Sequence, residues 1–234
     1  MSQILFDTPE QLAQGATDAF CDLAQAITQS GKRFRVALSG GSTPKRMNQI
    51  LADRDLPWDQ IDLFWGDERN VPHDHADSNY RMVCDTLLDA LEKRGIKPGT
   101  YPVPVDVEDP AKAALAYESL IKQYLTSTPV PQFDLVLLGM GDDVHTASLF
   151  PGTKALEAAD RLCVENWVEK LVTWRYTLTA EVINAASETW FVIAGAGKRE
   201  AVRIAQSKQP NDPSMYPSQL IKPTRWLLTR DVVE

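Results

Sequence analysis

The stretch Phe34-Arg35-Val36-Ala37-Leu38-Ser39-Gly40-Gly41-Ser42-Thr43-Pro44 is a short β-rich run that stops at a glycine pair, and Pro44 opens a helix carrying Met47, Ile50 and Leu51. Branched and aromatic side chains suit a pleated, half-buried surface, paired glycines permit a tight turn, and proline fits the first turn of a helix. Strand, glycine turn and helix in that order form the first unit of an α/β sheet.

The same alternation extends in both directions. Upstream, Thr8-Pro9-Glu10-Gln11 has the form of a capping box with proline at the first helical position, and Leu12, Ala16, Ala19, Phe20, Leu23 and Ile27 keep helical spacing until Gly31. Downstream, Ile61-Asp62-Leu63-Phe64-Trp65 predicts a strand, a polar loop follows, and a helix runs from Ser78 to Arg94 with Val83, Leu87, Leu88 and Leu91 on one face. A helix over Pro110 to Leu125 precedes the most apolar strand, Phe133-Asp134-Leu135-Val136-Leu137-Leu138, whose continuous run suits burial on both faces. Further strands are predicted at Leu162–Val164, Arg175–Thr179, Trp190–Ala194 and Arg225–Leu228, with a helix after Gly197 through Gln206. The pattern predicts a Rossmann-like, mostly parallel sheet with helices on both faces. The proline clusters at 101–104 and 129–131 join elements within it, so one domain over residues 1–234 is expected.

Composition narrows the function classes. With 44% hydrophobic and 24% charged residues the chain is globular in type, and its net charge of -8 disfavours nucleic acid and anionic membranes as partners. A small anion remains compatible, provided a pocket of cations and backbone N–H groups gathers it. Cys21, Cys84 and Cys163 are odd in number and widely spaced, which fits reduced thiols in the cytoplasm rather than a disulfide framework or a zinc knuckle. Neither a secretory leader nor a membrane span is read in the sequence, and a monomer is expected.

In an open α/β sheet, ligands collect outside the C-terminal ends of strands, so the loops directly after strands carry the chemistry. The first, Ser39 to Pro44, joins close backbone approach at Gly40 and Gly41 to the unpaired N–H groups and favourable dipole of a helix start, a design for an anion. The hydroxyls of Ser42 and Thr43 either cap that helix or bind phosphate oxygens. The loop matches neither the P-loop spacing nor G-x-G-x-x-G, so nucleotide binding is not indicated. The second, Gly66-Asp67-Glu68-Arg69-Asn70-Val71-Pro72 leading to Ser78-Asn79-Tyr80-Arg81, is either a solvated charge cluster or a source of cations beside the first loop. His73 and His75 lie in this segment without a third placed ligand, and no metal is assigned. The third, Gly139-Met140-Gly141-Asp142-Asp143-Val144-His145-Thr146-Ala147-Ser148-Leu149-Phe150-Pro151, carries a histidine able to exchange a proton near neutral pH and, two residues earlier, a carboxylate placed to orient its ring.

Taken together and in order, these loops resemble the 6-phosphogluconolactonase family, within the larger group that includes the glucosamine-6-phosphate isomerase/deaminases. The resemblance continues through Arg175-Tyr176-Thr177-Leu178-Thr179 and Gly195-Ala196-Gly197-Lys198 to Pro217-Ser218-Gln219-Leu220-Ile221. It implies hydrolysis of the sugar-phosphate lactone 6-phospho-D-glucono-1,5-lactone in the oxidative pentose phosphate pathway, without metal or organic cofactor. His145 would be the general base and Asp143 the carboxylate of its motif. The phosphate would sit on Gly40, Gly41, Ser42 and Thr43, with Arg69, Arg81 and Lys198 as cationic partners and Asp67 on the sugar side. Backbone N–H groups of the Gly139–Val144 loop are candidates to hold the oxyanion.

Val144 departs from the family, which has glycine between the motif aspartate and histidine. If that position requires positive φ, a β-branched residue there strains or re-aims the loop, and restoring glycine is expected to raise kcat. Two other readings stand beside the lactonase: an amino-sugar-phosphate isomerase or deaminase, and a non-catalytic sugar-phosphate sensor.

Overall fold

The computed structural model describes residues 1–125 and 130–234, so position 129 of the second proline cluster lies outside the described residues. The elements are β1 (Ser2–Phe6), α1 (Pro9–Gln29), β2 (Phe34–Leu38), α2 (Ser42–Leu51), β3 (Ile61–Trp65), β4 (Asp67–Arg69), α3 (Asn79–Val83), α4 (Asp89–Lys93), β5 (Gly99–Tyr101), α5 (Pro110–Tyr124), β6 (Leu135–Leu138), β7 (Cys163–Val168), β8 (Thr173–Leu178), α6 (Ala180–Ala185), β9 (Glu188–Ile193), α7 (Arg199–Ser207) and β10 (Arg225–Thr229). Seven strands form one parallel sheet in the order β1-β10-β9-β6-β2-β3-β5.

That order locates the site before any side chain is considered. From β2 the chain builds outward through β3 to β5, then returns to the other side of β2 as β6 and builds the opposite way. The order therefore reverses between β2 and β6, and the loops leaving these neighbours diverge to form a crevice. The loop after β2 is Ser39–Gly41 and the loop after β6 begins at Gly139.

The central strands are buried on both faces because their sequences are apolar at nearly every position. Val36, Ala37, Leu63, Phe64, Leu135 and Val136 have no exposed surface, and burial of a Val, Leu or Phe side chain contributes about 1.5–3 kcal/mol. Helix α1 starts as its sequence predicts, with the Thr8 hydroxyl accepting from the Gln11 N–H at 3.1 Å, and presents Leu12, Ala16, Phe20 and Ala24 to the core. Tyr117 of α5 pins the end of β3: its hydroxyl accepts from the Trp65 N–H at 2.8 Å and donates to the Trp65 carbonyl at 2.9 Å.

Several expectations are corrected. The strands predicted at Leu162–Val164 and Arg175–Thr179 do not join the parallel sheet. They are β7 and β8, which pair antiparallel in a second, three-stranded sheet with β4, a strand lying inside what the sequence presents as a polar loop. The expected helix from Ser78 to Arg94 is helical from Asn79 to Lys93 but passes through a π-helical turn at Cys84–Leu88. Helix α2 begins at Ser42, ahead of Pro44, and β6 begins at Leu135, with the Asp134 carboxylate just before it accepting the Arg35 N–H at 2.7 Å. Strands β1 and β5 and helix α6 were not anticipated. Cys163, Val164, Tyr176 and Leu178 of the second sheet belong to the same buried apolar cluster as the first. Among the described residues, no helix is long and apolar enough to cross a membrane.

Candidate active site

The loop after β2 is the candidate anion site. Gly41 takes φ of 107° at the N-cap of α2, a conformation that disfavours any side chain, and among the described residues no side chain caps this helix. The hydroxyls of Ser42 and Thr43 are therefore not spent on capping. Both residues line a cavity of about 300 Å³ at the sheet crevice, together with Gly40, Gly139, Gly141, His145, Asp67, Arg69 and Lys198. At Gly40 the constraint is contact: an added Cβ would lie 2.0 Å from Oδ1 of buried Asn79, whose amide donates to the Asp67 carbonyl at 3.0 Å.

The opposite wall is a tight turn closed on itself. The Gly141 N–H donates to the His145 carbonyl at 2.9 Å and the Val144 N–H to the Gly141 carbonyl at 3.0 Å. Asp143 Oδ1 stands 2.5 Å from His145 Nδ1 and also accepts the His145 N–H at 3.2 Å. With Nδ1 turned to a carboxylate, the ring proton sits there and Nε2 keeps its lone pair. Phe150 stacks on the imidazole at a centroid distance of 4.0 Å and an interplanar angle of 22°. Burial pushes the His145 pKa down to about 4, with Lys198 and Arg175 acting in the same direction and Asp67 and Asp142 against it. At neutral pH the imidazole is uncharged, the state a general base requires.

Val144 does occupy the left-handed region, at φ 64°, so the glycine of the family pattern answers a real backbone demand. The turn is nevertheless held, because the N–H and hydroxyl of Ser218 both donate to the Val144 carbonyl, at 3.0 and 2.7 Å. The amides proposed for the oxyanion fare differently: those of Gly141 and Val144 are used inside the turn and are not available to a ligand.

The second sheet brings the remaining charges to the mouth. Asp67 accepts from the Ser148 hydroxyl at 2.8 Å, which ties β4 to the turn after β6. Glu68 is structural: its buried carboxylate accepts the N–H groups of Asn79 and Tyr80, each at 2.7 Å, and so holds the start of α3. Arg69 lines the cavity and donates to the Asp77 carbonyl. Lys198 lines it too, held at 2.5 Å by Asp142.

Arg81 does not reach the site. It donates to the Asp74 carbonyl and pairs with Asp85 one helical turn on, and it is absent from the cavity wall. A cation that sequence reasoning did not single out is Arg175, cross-strand from Arg69; it too stands outside the cavity wall, but unlike Arg81 it acts electrostatically on His145 and Asp67. The Nε atoms of both arginines are buried and, among the described residues, without a hydrogen-bond partner. Burial and the neighbouring Arg69 push the Arg175 pKa below the usual arginine range. Two guanidiniums with unspent donors repel each other and favour an anion near both.

A larger cavity, about 1080 Å³, lies on the far side of the Asp143–Val144 turn, lined mainly by apolar and aromatic side chains such as Phe150, Trp167 and Trp174. It lacks the converging anion donors of the smaller one. His73 and His75 face neither cavity: His73 Nε2 is 2.8 Å from the Val103 carbonyl and His75 stands beside Asp77.

Comparison with known proteins bears on this geometry. A family model described as glucosamine-6-phosphate isomerases/6-phosphogluconolactonase matches residues 7–230. The chain is 44% identical to a 6-phosphogluconolactonase of a Nostoc species, over 97% of this chain and 92% of that protein. It is 40% identical to one from a Synechocystis species, covering 91% and 88%. Among solved structures it resembles the 6-phosphogluconolactonase of Trypanosoma cruzi, with a TM-score of 0.87 at 28% identity over 99% of this chain and 95% of that one. The enzyme of Trypanosoma brucei gives a TM-score of 0.86 at 26% identity over 99% and 97%.

Proposed function

The chain belongs to the glucosamine-6-phosphate isomerase/6-phosphogluconolactonase family, and on that premise we propose that it hydrolyses 6-phospho-D-glucono-1,5-lactone to 6-phosphogluconate, with His145 as general base. The observation that carries the reading is the meeting, at the sheet crevice, of a helix start with unspent donors and a histidine whose Nδ1 is held by a carboxylate.

The phosphate docks on Gly40, Gly41, Ser42 and Thr43, and Arg69, Lys198 and Arg175 supply the positive charge, Lys198 exchanging Asp142 for a phosphate oxygen. Anchoring the remote phosphate lets binding energy fix the carbonyl against base and water. His145 Nε2 takes a proton from water as the oxygen adds to the lactone carbonyl. The tetrahedral intermediate then collapses, the bond from C1 to the ring oxygen breaks, and the imidazolium returns its proton to that oxygen. Asp143 stabilises the transient imidazolium, while Asp67, fixed by Ser148, faces the sugar. Substrate choice tests the reading. Freshly generated lactone should be consumed well above its spontaneous rate and glucosamine 6-phosphate should release no ammonia; the reverse pattern would assign the amino-sugar chemistry instead.

Two results are expected of this site. Because burial lowers the His145 pKa to about 4, kcat/KM should hold as pH falls below 6.5 and decline only as the imidazole gains its proton nearer that value. A background-corrected profile from pH 4 to 8 checks this, and an acid limb at or above 6.5 would contradict it. Val144→Gly should leave kcat and KM within about threefold, since Ser218 already holds the turn. Relief of about 1–2 kcal/mol of left-handed strain is offset by loss of a buried side chain of similar worth, so the melting temperature should move little. A tenfold rise in kcat would show that the valine re-aims His145 after all.

A further inference from the structure

We propose that Lys170, on the turn joining β7 to β8, is a positioning residue for His145, tying the outer oxygen of Asp143 to the second sheet so that the inner oxygen stays on Nδ1. The inference rests on the reading of His145 as the base.

The turn is a short 3-10 helix, Glu169–Leu171, followed by Val172 at φ 50°. It is reached by a hairpin paired continuously from Cys163↔Leu178 to Val168↔Thr173, so its tip is delivered at a fixed register from a sheet that does not contain His145. Leu171 and Val172 of this tip are exposed, at 44% and 75%. Lys170 is itself half-exposed, at 52% of its side chain, yet its ammonium meets Asp143 Oδ2 and stands 5.0 Å from the centroid of Phe150. Phe150 and Asp143 are the two groups that hold the imidazole, one on its face and one on Nδ1. Lys170 therefore touches both supports of the base without touching the base.

The physical need is specific. A carboxylate has a broad terminal torsion, and Asp143, on a tight turn and partly open to solvent, has two equivalent oxygens. Among the described residues its side-chain partners are His145, at Oδ1, and Lys170, at Oδ2. The ammonium fixes the torsion and balances part of the carboxylate charge. The other charged groups facing His145 are Asp67 from β4, Arg175 from β8, Lys198 from the turn after β9, and Asp142 of its own loop. None of these is paired with Asp143.

The test is Lys170→Met, which keeps the stem and removes the charge, with Lys170→Arg as the conservative variant. Loss of the tie should lower kcat about tenfold, a mid-range effect for coupled neighbours, with KM within about threefold. The acid limb of kcat/KM should move to higher pH, because the Asp143 charge then acts on the imidazole unbalanced. Lys170→Arg should restore most of both. In an Asp143→Asn background, Lys170→Met should have no further effect. Additive losses in that cycle, or an unmoved acid limb with a melting temperature like wild type, would overturn the proposal. His145→Ala run alongside separates the two failures: if it keeps wild-type kcat, the base assignment is wrong and the proposal falls with it. If it is inactive while Lys170→Met matches wild type, only the role of Lys170 is lost.

Discussion

Gly141→Ala is expected to lower kcat by about a hundredfold while leaving the binding of 6-phosphogluconate close to wild type, a separation that few other single substitutions in this site should give. A Cβ on Gly141 would lie 2.0 Å from His145 Nδ1, 2.1 Å from its Cε1 and 2.7 Å from Asp143 Oδ1. Atoms do not approach so closely, so the ring, the carboxylate or the turn has to move. The ring backs onto Phe150 at 4.0 Å and the carboxylate is engaged by Lys170, which leaves displacement of the turn or loss of the contact between His145 and Asp143. Misplacing a reacting group by about 1 Å costs on the order of 10²-fold in rate. The proposed phosphate donors lie on the loop after β2 and are not among the three atoms nearest the added methyl, so steady-state kinetics with a calorimetric titration of 6-phosphogluconate should show the loss in kcat alone. Near-normal kcat would mean that the turn tolerates the methyl and that the position of His145 is set elsewhere.

The parts of this molecule that were legible in the sequence are those in which one segment decides its own conformation. The run from Phe34 to Pro44 carries its strand, its glycine turn and its helix start in contiguous residues, and the apolar stretch ending at Leu138 leads directly into the histidine turn. That the two loops face one cavity follows from strand order, which needs the alternation of the whole chain but no single distant contact.

What was missed depends on partners far along the chain. Asp67-Glu68-Arg69 is short and charged, poor strand material by propensity, and becomes β4 only because β8 offers it an edge. A signal for the second sheet was present: the strands predicted at Leu162–Val164 and Arg175–Thr179 leave only residues 165–174 between them, and a parallel crossover needs a dozen or more residues. Arg81 could also have been placed. Asn79 and Val83 are a helical turn apart and both buried, which turns the residue between them toward solvent. For Lys170 and Arg175 the sequence offers no comparable handle, since their roles arise from the register of a hairpin against a loop that precedes it by about thirty residues.

Removal of the base itself should have the largest effect of all. His145→Ala deletes the imidazole of the cavity wall, held neutral by burial and oriented by Asp143, and general-base assistance is worth about 10²–10⁴-fold. The anion loop after β2 does not depend on that ring, so ligand binding should survive. The decisive measurement compares wild type and His145→Ala on freshly generated 6-phosphogluconolactone against the spontaneous rate, with 6-phosphogluconate binding measured on both. Rapid turnover by wild type, a fall of at least about a hundredfold in kcat for the variant, and similar affinity for the product are expected. Wild-type hydrolysis no faster than background, or a variant as active as wild type, would contradict the proposed function.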